Sequence, residues 1–468
     1  MIEGLKPYAE YKESGQKWLG GIPSHWEFKP GHAAFAKRKE PNLGMKEKTV
    51  LSLSYGRIKV KAIDKHHGLV PESYETYQVV NEGNIIIRGT DLQNDQTSLR
   101  IGLSRNRGII SSAYLCLEAQ PSITPQYGYQ ILNVFDLTKA IYRYGSGLRQ
   151  NLDHGKIKRL PIFLPPLDEQ AAIVRFLDHA NRKIDGFIRA KRKLIGLLNE
   201  QKQAIIHRAV TRGLNPDVPL KPSGISWLGE MPAHWEVWRI SRFAKVGNGS
   251  TPSRSNFGFW SGGSYPWLNS SHVNRGFINS ADQFVTTLAL RECHLPKVTA
   301  GSVLIAITGQ GKTRGTSAVL GFEATISQHI AYITPRVPVV TASYLHLSLV
   351  AAYSTLRSIS DDSGSTKGAL TCEDLKRFKL AVPPIDEQVW LVEAIATETQ
   401  AANTAIARTE REIALMHEYR TRLTADIVTG KLDVREAAAK LPDLPTEPAG
   451  EALTDEALDD SETEDAEA

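Results

Sequence analysis

Cysteine is scarce. The 468-residue chain carries three, Cys116, Cys293 and Cys372, far apart and never as Cys-x-x-Cys. A disulfide framework and a thiolate zinc site are therefore not expected, which fits a reducing compartment. No apolar run approaches the ~18 residues of a membrane span, and the opening MIEGLKPYAEYKESG lacks an apolar core of signal-peptide length. A soluble, cytoplasmic chain is expected. Catalytic signatures are missing too. There is no Asn/Asp-Pro-Pro-Tyr/Phe motif of the kind that holds an adenine amino group, and no Pro-Asp…Asp/Glu-x-Lys nuclease set. His66, His67, His272, His294 and His329 show no metal-ligand spacing. The stretch TGQGKT (308–313) imitates a phosphate-binding loop, but the first glycine's place is Ala306 and no helix pattern follows. That loop reads equally as a DNA contact or a plain surface turn. No catalytic residue, metal or cofactor is assigned to this chain.

Net charge is small, +5, but unevenly spread. Residues 441–468 hold eleven acids and no Lys or Arg, leaving +16 on residues 1–440. The tail has little to bury and is expected to be disordered, a solubilising segment by default. The +16 body suits a polyanionic partner.

What is present is a repeat. WLGGIPSHWE (18–27) returns as WLGEMPAHWE (227–236), and LPPLDEQ (164–170) returns as VPPIDEQ (382–388). Two motifs recurring in the same order make the chain a tandem duplication. Each Pro-Pro motif reads as a helix start, with Asp168 or Asp386 as cap and Glu169 or Glu387 at the positive end of the dipole.

Heptad-like spacing follows in both copies. In the first it runs Leu177, Ala180, Ile184, Phe187, Lys191, Leu194, Leu198, Gln201, Ile205; in the second it runs from Val392 and Ile395 to Leu423 and Ile427. Each predicts one helix of about 40 residues, roughly 60 Å long. A narrow apolar stripe needs a partner, and the other copy's helix, running antiparallel, is the natural one.

The blocks between carry short apolar runs such as NIIIR (84–88) and SVLIAIT (302–308), separated by Gly, Asn, Asp and Ser. Mixed, strand-rich domains with exposed loops are expected. The division is 1–26 N-terminal segment, 27–165 first block, 166–212 first helix and 213–236 linker with the second lead-in motif. Then follow 237–383 second block, 384–432 second helix and 433–468 acidic tail.

DNA contact calls for Lys/Arg on phosphates and Arg, Lys, Asn, Gln, Ser or Thr at base edges. In the first block the clusters are Arg57, Lys59 and Lys61; Arg88 and Thr90; and Arg100, Arg105 and Arg107. In the second they are Arg254, Trp267, Asn269, Ser270 and His272, then Lys312, Thr313 and Lys367. Trp18, Trp26, Trp227 and Trp235 occupy identical places in both copies and read as packing rather than base stacking.

Together these motifs resemble the specificity subunit of type I restriction–modification systems. The resemblance rests on Trp18-Leu19-Gly20 with Ile22-Pro23-x-x-Trp26-Glu27, and on Pro165-Pro166-x-x-Glu169-Gln170 before a long helix. Both recur at Trp227-Leu228-Gly229 with Pro232-x-x-Trp235-Glu236, and at Pro383-Pro384-x-x-Glu387-Gln388. Gly145-Ser146-Gly147 and Gly364-Ser365 fit the Gly-rich turn such chains place upstream.

The resemblance implies an α+β chain. Two target recognition domains of similar fold would be separated by two long antiparallel coiled-coil helices, in pseudo-two-fold duplication. Each domain would read half of a bipartite double-stranded DNA site, and the helices would set the spacer. Trp18, Trp26, Pro166, Glu169, Gln170, Trp227, Trp235, Pro384, Glu387 and Gln388 would form the repeat framework and dock subunits. Two modification subunits would bring adenine methylation with S-adenosylmethionine, and restriction subunits would bring ATP- and Mg2+-dependent cleavage. The absent catalytic motifs argue against a stand-alone nucleotide-dependent DNA enzyme. The basic, polar-loop blocks argue against a purely protein-binding coiled-coil adaptor.

Overall fold

Both Pro-Pro motifs open long helices. The structure, a computed structural model, describes residues 5–61, 73–90, 92, 99–144, 151–309, 311–336, 339–361 and 368–442. The first long helix is Leu167–Arg212 and the second Ile385–Val428. The Pro166 and Pro384 carbonyls accept the amides of Gln170 and Gln388, closing the first turns. Asp168 and Asp386, expected as caps, lie inside those turns beside Glu169 and Glu387. The carboxylates there still meet the positive end of the dipole. The helices stop at glycines in the left-handed region, Gly213 (φ +71) and Gly430 (φ +79), where a Cβ would be strained.

The described residues form two compact units, one from 5–191 with 410–442, the other from 192–409. In the first unit Lys191 pairs with Glu412 at 2.6 Å and Arg420 with Asp185, so the two helical segments run antiparallel. In the second unit Arg208 meets Glu398 at 3.1 Å and Gly213 lies beside Glu387, giving the same sense.

Along the second helix Ile395, Thr399, Ala402, Thr409, Leu423 and Ile427 are buried, as its spacing predicts. The first helix departs from its predicted register. Phe187 is 57% and Leu194 41% exposed, while Ile173, Leu177, Ala180, Ile184 and Ile188 are buried. The steps are four, three, four and four, so the buried position passes from the expected Phe187 to Ile188.

The first block is built on an antiparallel sheet ordered Phe35–Arg38, Leu115–Ala119, Ile85–Ile87, Ile101–Leu103. The second uses the same order, Ala244–Asn248, Ile330–Pro335, Val303–Ala306, Ser317–Leu320, and adds Phe277–Ile278 parallel to the last strand. A helix with a threonine N-cap covers each sheet: Pro125–Leu137 capped by Thr124, and Ala342–Ala351 capped by Thr341. Each block's first and last strands pair with each other, Glu27–Pro30 with Pro161–Leu164 and Glu236–Arg239 with Lys379–Val382.

The cores run on into the helix ends. In the first unit Trp26, Phe35, Tyr127, Phe135 and Phe163 bury against Ile173, Leu177, Leu423 and Ile427. In the second, Trp235, Phe243, Tyr344 and Leu380 bury against Ile206, Val210, Leu391 and Ile395. Each such side chain contributes about 1.5–3 kcal/mol on burial, so the blocks are fused to the helices rather than tethered to them. Residues 433–442, expected as the start of the acidic tail, pack with the first unit. Val434 and Ala438 are buried in the first unit's core, and Arg175 donates to the Leu441 carbonyl. Among the described residues no helix is long and apolar enough to cross a membrane.

Candidate nucleic-acid interface

The repeated motifs meet in space. Glu169 accepts the Trp26 indole N–H at 2.9 Å and faces His25 Nε2 at 2.7 Å; Glu387 does the same with Trp235 at 3.0 Å and His234 at 2.7 Å. Gln170 Oε1 accepts the Thr124 amide, and its Nε2 donates to the Ser122 and Pro165 carbonyls. Gln388 repeats this with Thr341, Val339 and Pro383. Each Glu-Gln pair thus fastens one block to the first turn of its long helix. Burial of Trp26, Trp235, Glu169, Gln170 and Gln388 removes them from any subunit-docking surface. Trp18 and Trp227 are half-buried against Phe135 and Phe378, whereas Pro166 and Pro384 stay exposed.

In the first block Arg57 and Lys59 lie on the hairpin Leu51–Ser54 with Arg57–Val60, and Lys61 follows it; all three are exposed. Arg57 reaches Asp185 of the first long helix at 3.8 Å. Arg105 and Arg107 are exposed, Arg107 being held by Asn81 and Glu47. Arg100 is a correction: it is fully buried, donating to the Thr90 carbonyl at 2.6 Å and the Arg88 carbonyl at 3.3 Å. It positions the strand end where Arg88 is half-buried and Thr90 exposed.

In the second block Arg254 is exposed and ordered. Its guanidinium lies 3.9 Å from the Trp260 ring and 5.0 Å from that of Trp267, and donates to Gln283. Trp267 itself is buried, its indole N–H given to the Ser250 carbonyl, so it supports Arg254 instead of stacking on a base. Asn269 caps the turn Ser270–Arg275, accepting from Ser271 and lying 2.8 Å from His272 Nδ1. His272 is buried against Asp282, and burial pushes its pKa down. Both residues are thereby committed internally; Ser270 is half-buried.

Lys312 is exposed and Thr313 half-buried. Tyr353 and Arg357 donate to the Lys312 and Gly311 carbonyls and hold that loop from beneath. A strand, Ser317–Leu320, follows the loop, so the architecture of a phosphate-binding loop is absent there. Lys367, the Gly145–Gly147 turn and Gly364-Ser365 lie outside the described residues.

One polar chain escapes a search for basic clusters. Thr308 Oγ1 lies 2.7 Å from His329 Nδ1, His329 Nε2 lies 3.0 Å from Gln328, and Gln328 accepts from Thr251. It joins the Arg254 loop to the Lys312 loop and presents exposed Gln328 and His329, both competent at base edges. Its signal was the polar Ser327-Gln328-His329 turn between apolar strands. Tyr55 and Phe257, exposed at 56% and 79%, likewise stand outside the clusters read from the sequence. Among the described residues no group of three His, Cys, Asp or Glu is placed to hold a metal ion.

Comparison with known proteins adds independent findings. A family model described as the type I restriction modification DNA specificity domain matches residues 232–413. A type I restriction enzyme MjaX specificity subunit of Methanocaldococcus jannaschii is 22% identical over 442 residues, covering 91% of this chain and 98% of the relative. The EcoR124I/EcoR124II specificity subunit of Escherichia coli is 23% identical over 300 residues, 63% of this chain and 69% of its own. A solved chain described under complex assembly and conformational transition of the type I R-M system superposes with TM-score 0.59 at 16% identity. It covers 88% of this chain and 99% of that one, and speaks for the fold alone.

Proposed function

We propose that the chain is a specificity subunit of a type I restriction–modification system, as the matching family model and relatives support, and that each of its blocks reads one half of a bipartite DNA site. In this reading it is the non-catalytic subunit that supplies sequence specificity. The two long helices act in pseudo-two-fold fashion as a coiled-coil ruler for the unread spacer and dock two modification subunits. Those partners bring S-adenosylmethionine and adenine methylation, and restriction subunits bring ATP- and Mg2+-dependent cleavage.

One observation carries the reading. The same Trp–Glu–His and Gln–backbone clamps fasten both blocks to long helices, while the exposed loop residues differ between blocks. A common frame bearing unlike loops is what two readers of different half-sites need. Phosphate affinity comes from the +16 body, and base selection from loops such as Arg254 and Gln328-His329. Mapping methylated adenines in a genome expressing this chain with its modification subunits tests the proposal. A single bipartite, asymmetric site is expected; methylation without a spacer, or at one contiguous site, refutes it.

A further inference from the structure

The hairpin Leu51–Ser54/Arg57–Val60 has two unlike faces. Leu53 and Ile58 press on the strand Ile101–Leu103, where a Cβ on Gly102 would come 2.7 Å from Leu53 and 3.0 Å from Ile58. The paired residues Ser52 and Lys59, and Ser54 and Arg57, share the opposite face, with Lys61 next in phase. That face is hydroxylic and cationic, and Lys59 and Lys61 make no ion pair among the described residues.

The tip is a two-residue turn, Tyr55-Gly56, with φ of +46 and +75. Such a turn favours Asn-Gly, and a tyrosine in the left-handed region is uncommon and strained. Among the described residues nothing compensates for it. The Tyr55 ring is 56% exposed and its hydroxyl makes no hydrogen bond among the described residues. Gly56, by contrast, is buried against Leu99, so the turn is propped and the ring stands clear. Backbone strain kept at an exposed aromatic, on a rigid ribbon with a basic face, is an arrangement a fold has no reason to hold for itself.

We propose that this hairpin enters the major groove of the half-site read by the first block, with Tyr55 as its specificity-determining contact. A two-stranded ribbon fits that groove. Ser52 and Ser54 reach base edges, Lys59 and Lys61 take flanking phosphates, and the Tyr55 ring rests on the groove floor, its hydroxyl on a base acceptor. The inference rests on the DNA-reading function above.

The test uses the complete complex with its modification subunits, scored by methylation of DNA randomised at each position of the site. Tyr55→Asn suits the turn better and replaces the ring by a short carboxamide, while Tyr55→Gly removes the side chain altogether. It is expected to leave the unfolding temperature unchanged or higher, to lower methylation of the cognate site at least tenfold, and to relax one position in one half. Lys59→Ala with Lys61→Ala is expected to weaken all sequences alike and flatten the salt dependence. Methylation within twofold of wild type, with an unchanged pattern, by both Tyr55→Asn and Tyr55→Gly overturns the inference. If the wild-type complex yields no bipartite site, the underlying reading fails instead, and the two failures are told apart.

Discussion

Trp26 donates its indole N–H to Glu169 across 143 positions of sequence, and both side chains are buried. A tryptophan from one end of a block thus lands on the helix that leaves its other end, and the second copy repeats the contact at Trp235 and Glu387. In the first unit Glu169 also accepts the Tyr8 hydroxyl at 2.6 Å, tying in the N-terminal segment.

Removing that acceptor should loosen the unit. Glu169→Ala leaves the Trp26 N–H and Tyr8 hydroxyl unpaired in the interior, a loss of about 1–3 kcal/mol. Glu387→Ala should cost less, because Glu387 is only half-buried. Chemical denaturation followed by tryptophan fluorescence measures both. Equal, negligible effects would show the clamp to be ornamental.

Acid should weaken the second unit through His346. Burial depresses its pKa from 6.5 to about 4, with Ser317 Oγ 2.9 Å from Nδ1. Between those values the unfolded chain binds a proton that the folded one refuses, so stability falls as pH drops from 6.5 to 4. The expected loss is of the order of 3 kcal/mol, from the usual conversion of a pKa shift. His346→Gln should flatten that part of the stability–pH curve; an unchanged curve would remove His346 as its source.

The helices and the duplication were legible because their signals are local and repeated. Gly-bounded motifs, Pro-Pro starts and apolar spacing survive without knowledge of the tertiary structure. The second helix kept its predicted register, while the first slipped at Phe187, where Ile188 takes the buried place one residue on. Side-chain roles were less legible. Arg100, Trp267 and His272 carry DNA-binding chemistry but are buried. Their neighbours, Thr90, Arg254 and Ser270, reach the surface or its margin. Composition cannot separate a contact from its support, since both draw on the same residue types.

The register slip leaves apolar side chains outside the helix seam. In the second unit Leu194 and Leu197 stand about one turn apart on the first long helix, hence on one face, exposed at 41% and 53%. Docking of modification subunits there predicts that Leu194→Asp and Leu197→Asp reduce assembly tenfold or more while the isolated chain's unfolding temperature stays within a degree or two. Size-exclusion chromatography of the mixed subunits reads the outcome. Full assembly by the double variant would move docking to another surface.

A block exchange tests the modular reading most directly. Val237 and Ala381 face each other in the paired strands Glu236–Arg239 and Lys379–Val382, so a graft of residues 237–381 begins and ends at one ladder rung. Trp235, Glu387 and Gln388 lie outside the graft, leaving the Trp–Glu clamp and the glutamine whole. The glutamine needs only backbone partners at the positions of Val339 and Thr341, which a block of the same fold supplies. Its first-block counterpart is untouched, since Trp26 and Glu169 belong to the other unit. The chimera should therefore fold, assemble and methylate a site with one new half, the other half and the spacer being retained. Methylation mapping that shows both halves altered would mean the blocks read DNA jointly, and the one-block, one-half reading would fall.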